Sequence, residues 1–129
     1  MNRRLLIIED NAQNLYMMRF LLEKSGFTVI GAEDGFKGVA MALECDPLAI
    51  LLDIQLPKMD GYDVAAALKR HRTLEHVPII AVTSYAMVGD RERILAAGAT
   101  GYIEKPINPE TFVAEIAQYL PENWDGQGA

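Results

Sequence analysis

Five side chains in this sequence have the types and the placing for phosphoryl chemistry. Glu9 and Asp10 close the apolar run Leu5-Leu6-Ile7-Ile8, and Asp53 closes Leu48-Ala49-Ile50-Leu51-Leu52. Thr83 ends Ile79-Ile80-Ala81-Val82, and Lys105 follows Gly101-Tyr102-Ile103-Glu104. An ionised carboxylate at the tip of a buried strand is costly unless it is paired or holds a metal, so two acidic tips in one small chain point to a cation site. Three acids suit Mg²⁺, a hard ion that takes a few carboxylates together with waters and substrate oxygens. A hydroxyl and an ammonium on the same rim would then meet the equatorial oxygens of a phosphoryl group. The set describes phosphorylation of a carboxylate.

Those residues converge only if the elements that carry them run in parallel. Apolar runs alternate with helical patterns along the chain, the signature of repeated βα units in an α/β fold with a parallel sheet. The spacing predicts strands near Leu5–Glu9, Thr28–Ala32, Ala49–Asp53, Ile79–Thr83 and Gly101–Glu104. Helices are predicted near Ala12–Lys24, Phe36–Glu44, Tyr62–Arg72, Val88–Ala97 and Pro109–Leu120. Gly26, Asp34-Gly35, Asp46-Pro47, Asp60-Gly61 and Gly98 punctuate the joints, and Asn108-Pro109 reads as a helix cap followed by proline at the first helical position. Parallel sheets collect ligands at the carboxyl ends of their strands, where all five residues fall.

At 129 residues, half of them apolar, the chain fits one domain with a real core. Residues 1–120 are read as that domain and 121–129, which lose periodicity and include Trp124, as a C-terminal tail. A net charge of -6 without any basic run argues against nucleic acid as a partner. The apolar stretch behind Arg3-Arg4 is too short for a signal peptide or membrane span, so no membrane partner is expected. The single Cys45 excludes an internal disulfide and fits a reducing, cytoplasmic setting; flanked by Glu44 and Asp46, it reads as structural.

The ordered blocks Ile8-Glu9-Asp10-Asn11, Leu52-Asp53-Ile54-Gln55-Leu56-Pro57, Met59-Asp60-Gly61, Val82-Thr83-Ser84, Gly98-Ala99 and Tyr102-Ile103-Glu104-Lys105-Pro106 resemble the receiver domains of two-component response regulators. The likeness spans about residues 4 to 120. It implies a flavodoxin-like doubly wound sheet of order 2-1-3-4-5. It also implies that Asp53 takes a phosphoryl group from a phosphohistidine, and that Asp10 and Asp53 hold Mg²⁺ with Glu9 acting through water and the Gln55 backbone carbonyl as a further ligand. Lys105 would pair with a phosphoryl oxygen, behind a cis Lys105-Pro106 peptide. Thr83 would hydrogen-bond the phosphorylated aspartate while Tyr102 swings inward. The chain would then be no enzyme in the ordinary sense, but a phosphoacceptor that catalyses only its own phosphorylation and dephosphorylation. Its partners would be a histidine kinase, a histidine phosphotransfer protein or both, together with a downstream protein target; as an assembly it would be a monomer or weak homodimer. Within the family, Glu9-Asp10-Asn11-Ala12-Gln13-Asn14 and Thr83-Ser84-Tyr85-Ala86-Met87 resemble single-domain regulators of the DivK type and receivers of hybrid kinases. A stand-alone receiver is the reading that the chain length suggests, with a piece of a longer hybrid kinase as the alternative.

Plainer readings stand beside these. Asp10 alone fits a helix cap, Thr83 a strand residue, Lys105 a solvated lysine and Tyr102 a half-buried edge residue. Asp60-Gly61 is a turn, and His71 and His76 lie in a polar stretch that suits solvated histidines. On the first helix Leu15, Met17, Met18, Leu21 and Leu22 form one stripe, whereas Tyr16 and Phe20 lie on the opposite side. Those two aromatics mark either a docking surface or a patch covered by the tail. Two rivals from other classes are a receiver fold used only as a binding surface, and a Mg²⁺-dependent small-molecule phosphatase. The latter would need an acid two residues after Asp53, where Gln55 stands.

Overall fold

The computed structural model describes residues 2–56, 58–84 and 88–121. Five parallel strands form one sheet: β1 (Arg4–Ile8), β2 (Thr28–Ala32), β3 (Ala49–Asp53), β4 (Ile79–Thr83) and β5 (Gly101–Glu104), in the order β2-β1-β3-β4-β5. Helices α1 (Ala12–Lys24), α2 (Gly35–Cys45), α3 (Gly61–Lys69), α4 (Val88–Ala96) and α5 (Phe112–Ala117) alternate with them.

Strand composition decides that order. β3 and β4 are buried at every position and β1 at all but Arg4, so each needs cover on both faces and sits inside the sheet. β2 and β5 mix buried with exposed positions and take the edges. The outer β2 backbone is partly covered, since the Arg19 guanidinium donates to the Val29 carbonyl at 3.1 Å.

Side chains alternate between two cores. Leu5, Ile7, Leu51, Ile80 and Val82 meet Met18 and Leu22 of α1 and Phe112 and Ile116 of α5. Leu6, Ile8, Ile50 and Leu52 meet Ala42 of α2 and Val64 and Leu68 of α3. A smaller cluster of Ile54, Ala81 and Ile94 seats α4. The predicted stripe of α1 faces the core, and Tyr16 and Phe20 lie outside it.

The helix starts follow from short polar side chains. Asn11 accepts from the Asn14 N–H, Asp34 from that of Lys37 and Asp60 from that of Tyr62, each satisfying a donor that the first turn leaves unpaired. The cap of α1 is therefore Asn11 and not Asp10. Asp60, read as a turn residue, also caps α3.

Several boundaries differ from those predicted. β1 stops at Ile8, so Glu9 stands just past the strand. α3 ends at Lys69 instead of Arg72, because the Lys69 ammonium donates to the Glu75 and Val77 carbonyls and draws the chain into a 3-10 turn, Arg72–Leu74, that buries Leu74. α5 begins at Phe112 instead of Pro109 and ends at Ala117. There the Asn108 side chain accepts from the Glu110 N–H and its carbonyl from Thr111 and Phe112, closing a separate turn ahead of the helix. Pro57, Tyr85, Ala86, Met87 and the tail from 122 with Trp124 lie outside the described residues, so the reading of the tail as a cover for Tyr16 and Phe20 does too.

Candidate functional site

Register brings the acidic residues together. Ile8 pairs with Leu52, so the residues next along each strand, Glu9 and Asp53, leave the sheet side by side. One carboxylate oxygen from each of Glu9, Asp10 and Asp53 lies within 4.8 Å of the others. Glu9 and Asp53 are buried and Asp10 is exposed, so the cluster opens to solvent on one side. Thr83 is buried at the end of β4, and its carbonyl accepts from the Lys105 N–H at 2.9 Å. The Lys105 side chain turns back across the strand ends, its ammonium 3.3 Å from Asp53 Oδ1 and 3.5 Å from Glu9 Oε1. The peptide after it, Lys105-Pro106, is cis.

The acids are held by few donors. Asp53 Oδ1 accepts from the Gln55 N–H at 2.9 Å, and Glu9 Oε2 accepts from the Asn11 N–H at 3.2 Å. Glu9 Oε1 is buried and, among the described residues, accepts no hydrogen bond, although the Lys105 ammonium lies 3.5 Å away. Burial, and then the neighbouring Asp53, push the Glu9 carboxyl up to about 7. One ammonium among three carboxylates leaves an excess of negative charge, and an orphaned buried oxygen faces it. Both features fit a hard divalent cation. Glu9, Asp10 and Asp53 are the side chains that could hold it, with the backbone at Gln55 beside them.

The remaining residues singled out in the sequence fall elsewhere. Tyr102 is half-buried against Ile54, Ala81 and Ile94, on the α4 face of β5. Tyr16 and Phe20 are 69% and 53% exposed, their rings near parallel with centroids 6.5 Å apart, and neither belongs to the acidic cluster. His71 and His76 are exposed. Burial pushes the Cys45 thiol up, in keeping with an unreactive structural residue. Among the described residues no helix is long and apolar enough to cross a membrane. Arg91, which the sequence reading passed over, stacks on the Tyr102 ring and pairs with Glu104. Nothing in its local sequence marks it, because the contact runs from α4 to β5.

The geometry has counterparts among known proteins. Residues 5–117 match the response regulator receiver domain family. The polar-differentiation response regulators DivK of Brucella ovis and Brucella anthropi are each 42% identical over 120 residues, covering 93% of this chain and 98% of theirs. The chemotaxis response regulator CheY4 of Vibrio cholerae superposes with a TM-score of 0.89 at 27% identity, covering 93% of this chain and all of that one. A receiver domain of a sensor histidine kinase from Pseudomonas aeruginosa, solved with a magnesium ion coordinated in its active site cleft, gives 0.84 at 32% identity over 92% of this chain and 98% of its own.

Proposed function

The chain belongs to the response regulator receiver domain family, and from that premise we propose that it is a Mg²⁺-dependent phosphoacceptor switch whose phosphorylated residue is Asp53. The observation that carries the reading is the ammonium of Lys105 lying 3.3 Å from Asp53 Oδ1, beside an acidic cluster with an orphaned buried oxygen.

A carboxylate oxygen of Asp53 attacks phosphorus in line, forming the O–P bond as the N–P bond to a donor histidine breaks. Glu9, Asp10 and Asp53, with the Gln55 carbonyl, are the residues that would hold Mg²⁺. When bound, the ion neutralises charge on the transferring oxygens. Lys105 supplies a fixed positive charge for the same purpose, already paired with the attacking carboxylate. The Thr83 hydroxyl donates a hydrogen bond to the phosphorylated side chain, and Tyr102 moves inward with it. Output is a population shift between two conformations, set by their different contacts with the phosphoryl group.

The donor is a histidine kinase or a histidine phosphotransfer protein. The result is either altered binding of a downstream protein or relay of the phosphoryl group. The stacked Tyr16 and Phe20 on the solvent face of α1 belong to the partner surface, since exposed paired aromatics are enriched in contact sites. Residues 1–120 form the receiver unit and 121–129 its tail.

Intact mass after incubation with acetyl phosphate tests the reading. Wild type gains one phosphoryl group only with Mg²⁺ present, and Asp53→Asn gains none. A folded wild type that neither forms the adduct nor binds beryllofluoride would overturn it in favour of a receiver fold used purely as a binding surface.

A further inference from the structure

Tyr102 and Glu104 stand two residues apart on β5 and so share the face that α4 covers. Arg91, in the first turn of α4, reaches both. Its guanidinium carbon is 5.2 Å from the centroid of the Tyr102 ring, and its Nη2 is 3.8 Å from Glu104 Oε1. Among the described residues its Nε is buried without a hydrogen-bond partner, and the ring and the carboxylate are the contacts that hold the group. Across the sheet Tyr102 pairs with Ala81 and Glu104 with Thr83. Arg91 therefore clasps the two β5 side chains that flank the last turnings of β4 before the site.

We infer that Arg91 is a positioning residue that holds Tyr102 where it lies, half-buried on the α4 face, and so sets how readily the site converts to its phosphorylated form. A guanidinium over a half-buried ring is a favourable contact that the ring gives up when it moves toward Thr83. The ion pair with Glu104 is exposed and adds little energy of its own, but it keeps the guanidinium over the ring. In this arrangement Asp53 Oδ1 is engaged by Lys105 and the Gln55 N–H, so the clasp accompanies the carboxylate as the protein itself holds it. The inference rests on the phosphoacceptor reading, in which Tyr102 and Thr83 move together. Removing the clasp then tips the equilibrium toward the moved state, by roughly two- to fivefold for a contact of this class.

Titration with beryllofluoride and Mg²⁺, followed by backbone amide resonances, reads the midpoint of conversion in wild type, Arg91→Ala, Tyr102→Leu and the double variant. Arg91→Ala lowers the midpoint about two- to fivefold, and the same change made on top of Tyr102→Leu has no effect. Should Arg91→Ala lose its dispersed amide spectrum, Arg91→Gln carries the same comparison with the chain length retained. A wild type that converts while the Arg91 variant keeps the same midpoint overturns the clasp alone, as does a shift that persists without the Tyr102 ring. A wild type that never binds beryllofluoride overturns the phosphoacceptor reading, and the clasp falls with it.

Discussion

A Cβ on Gly61 would stand 2.5 Å from the Cα of Ile54 and 2.7 Å from its carbonyl oxygen, so the chain leaving β3 returns to touch itself at the first residue of α3. The Gly61 N–H donates to that same carbonyl at 3.1 Å, and Asp60 caps the helix beside it. The segment between them starts with Gln55, whose N–H holds Asp53. Gly61 is thus part of what fixes the backbone around the acidic cluster.

Gly61→Ala should destabilise the fold by about 1–3 kcal/mol, the usual cost of forcing a methyl group into packed backbone. Because the backbone that must yield is the one carrying Gln55, Mg²⁺ affinity should fall in parallel. Urea unfolding and a metal titration check the pair of effects. Unchanged metal affinity in a destabilised variant would show that the strain is absorbed toward α3.

Asn11→Ala separates helix capping from the site. Its side chain accepts from the Asn14 N–H at 2.9 Å, and losing that bond should cost about 1 kcal/mol in urea unfolding. The group that Asn11 gives to Glu9 is its backbone N–H, which alanine keeps. Mg²⁺ affinity should therefore hold near the wild-type value, and a large drop would mean that the side chain itself orders the acids.

The convergence of the candidate site residues was largely legible in the sequence because strand ends and chemistry coincide. Uninterrupted apolar runs made β1, β3 and β4 recognisable, and their parallel pairing puts Glu9, Asp53 and Thr83 at one edge. What escaped depends on contacts distant in sequence. The end of α3 is set by Lys69 reaching carbonyls six and eight residues on, and no helical periodicity records that. The turn closed by Asn108 delays α5 through its own hydrogen bonds, although Asn-Pro reads as a cap from composition alone. Arg91 on Tyr102 and the Gly61 approach to Ile54 are tertiary facts of the same kind.

Lys105→Ala should move two properties of the site in opposite directions. Its ammonium is the cation that offsets Glu9 and Asp53, at 3.5 Å and 3.3 Å. Without it the cluster is more negative, so Mg²⁺ should bind more tightly, on the order of tenfold at low ionic strength. Phosphorylation by acetyl phosphate should nevertheless slow by about a hundredfold or more, as expected on losing a preorganised charge at the transferring group. A metal titration and the rate of mass gain, made on the same sample, decide it. Loss of both properties together would point instead to collapse of the strand ends around uncompensated acids.

Metal affinity should also climb with pH in a window that belongs to Glu9. Burial and Asp53 raise its carboxyl from the ordinary 4.5 to about 7 in the metal-free protein. A carboxyl whose folded value is raised stabilises the fold fully below its unfolded value and loses that contribution as pH rises through the folded one. The metal-free protein should therefore shed stability between about pH 4.5 and 7. Mg²⁺ needs the ionised form, so binding competes with the proton: affinity should rise across that window, level off above it, and return the lost stability when the metal is present. Thermal unfolding with and without Mg²⁺ across the window should show two curves diverging as pH increases. Glu9→Gln, which cannot ionise, should flatten the divergence while keeping the shape of the side chain. If the curves of wild type and Glu9→Gln ran in parallel, the titrating group would have to be another member of the cluster, and the orphaned Glu9 Oε1 would not be the oxygen that the cation satisfies.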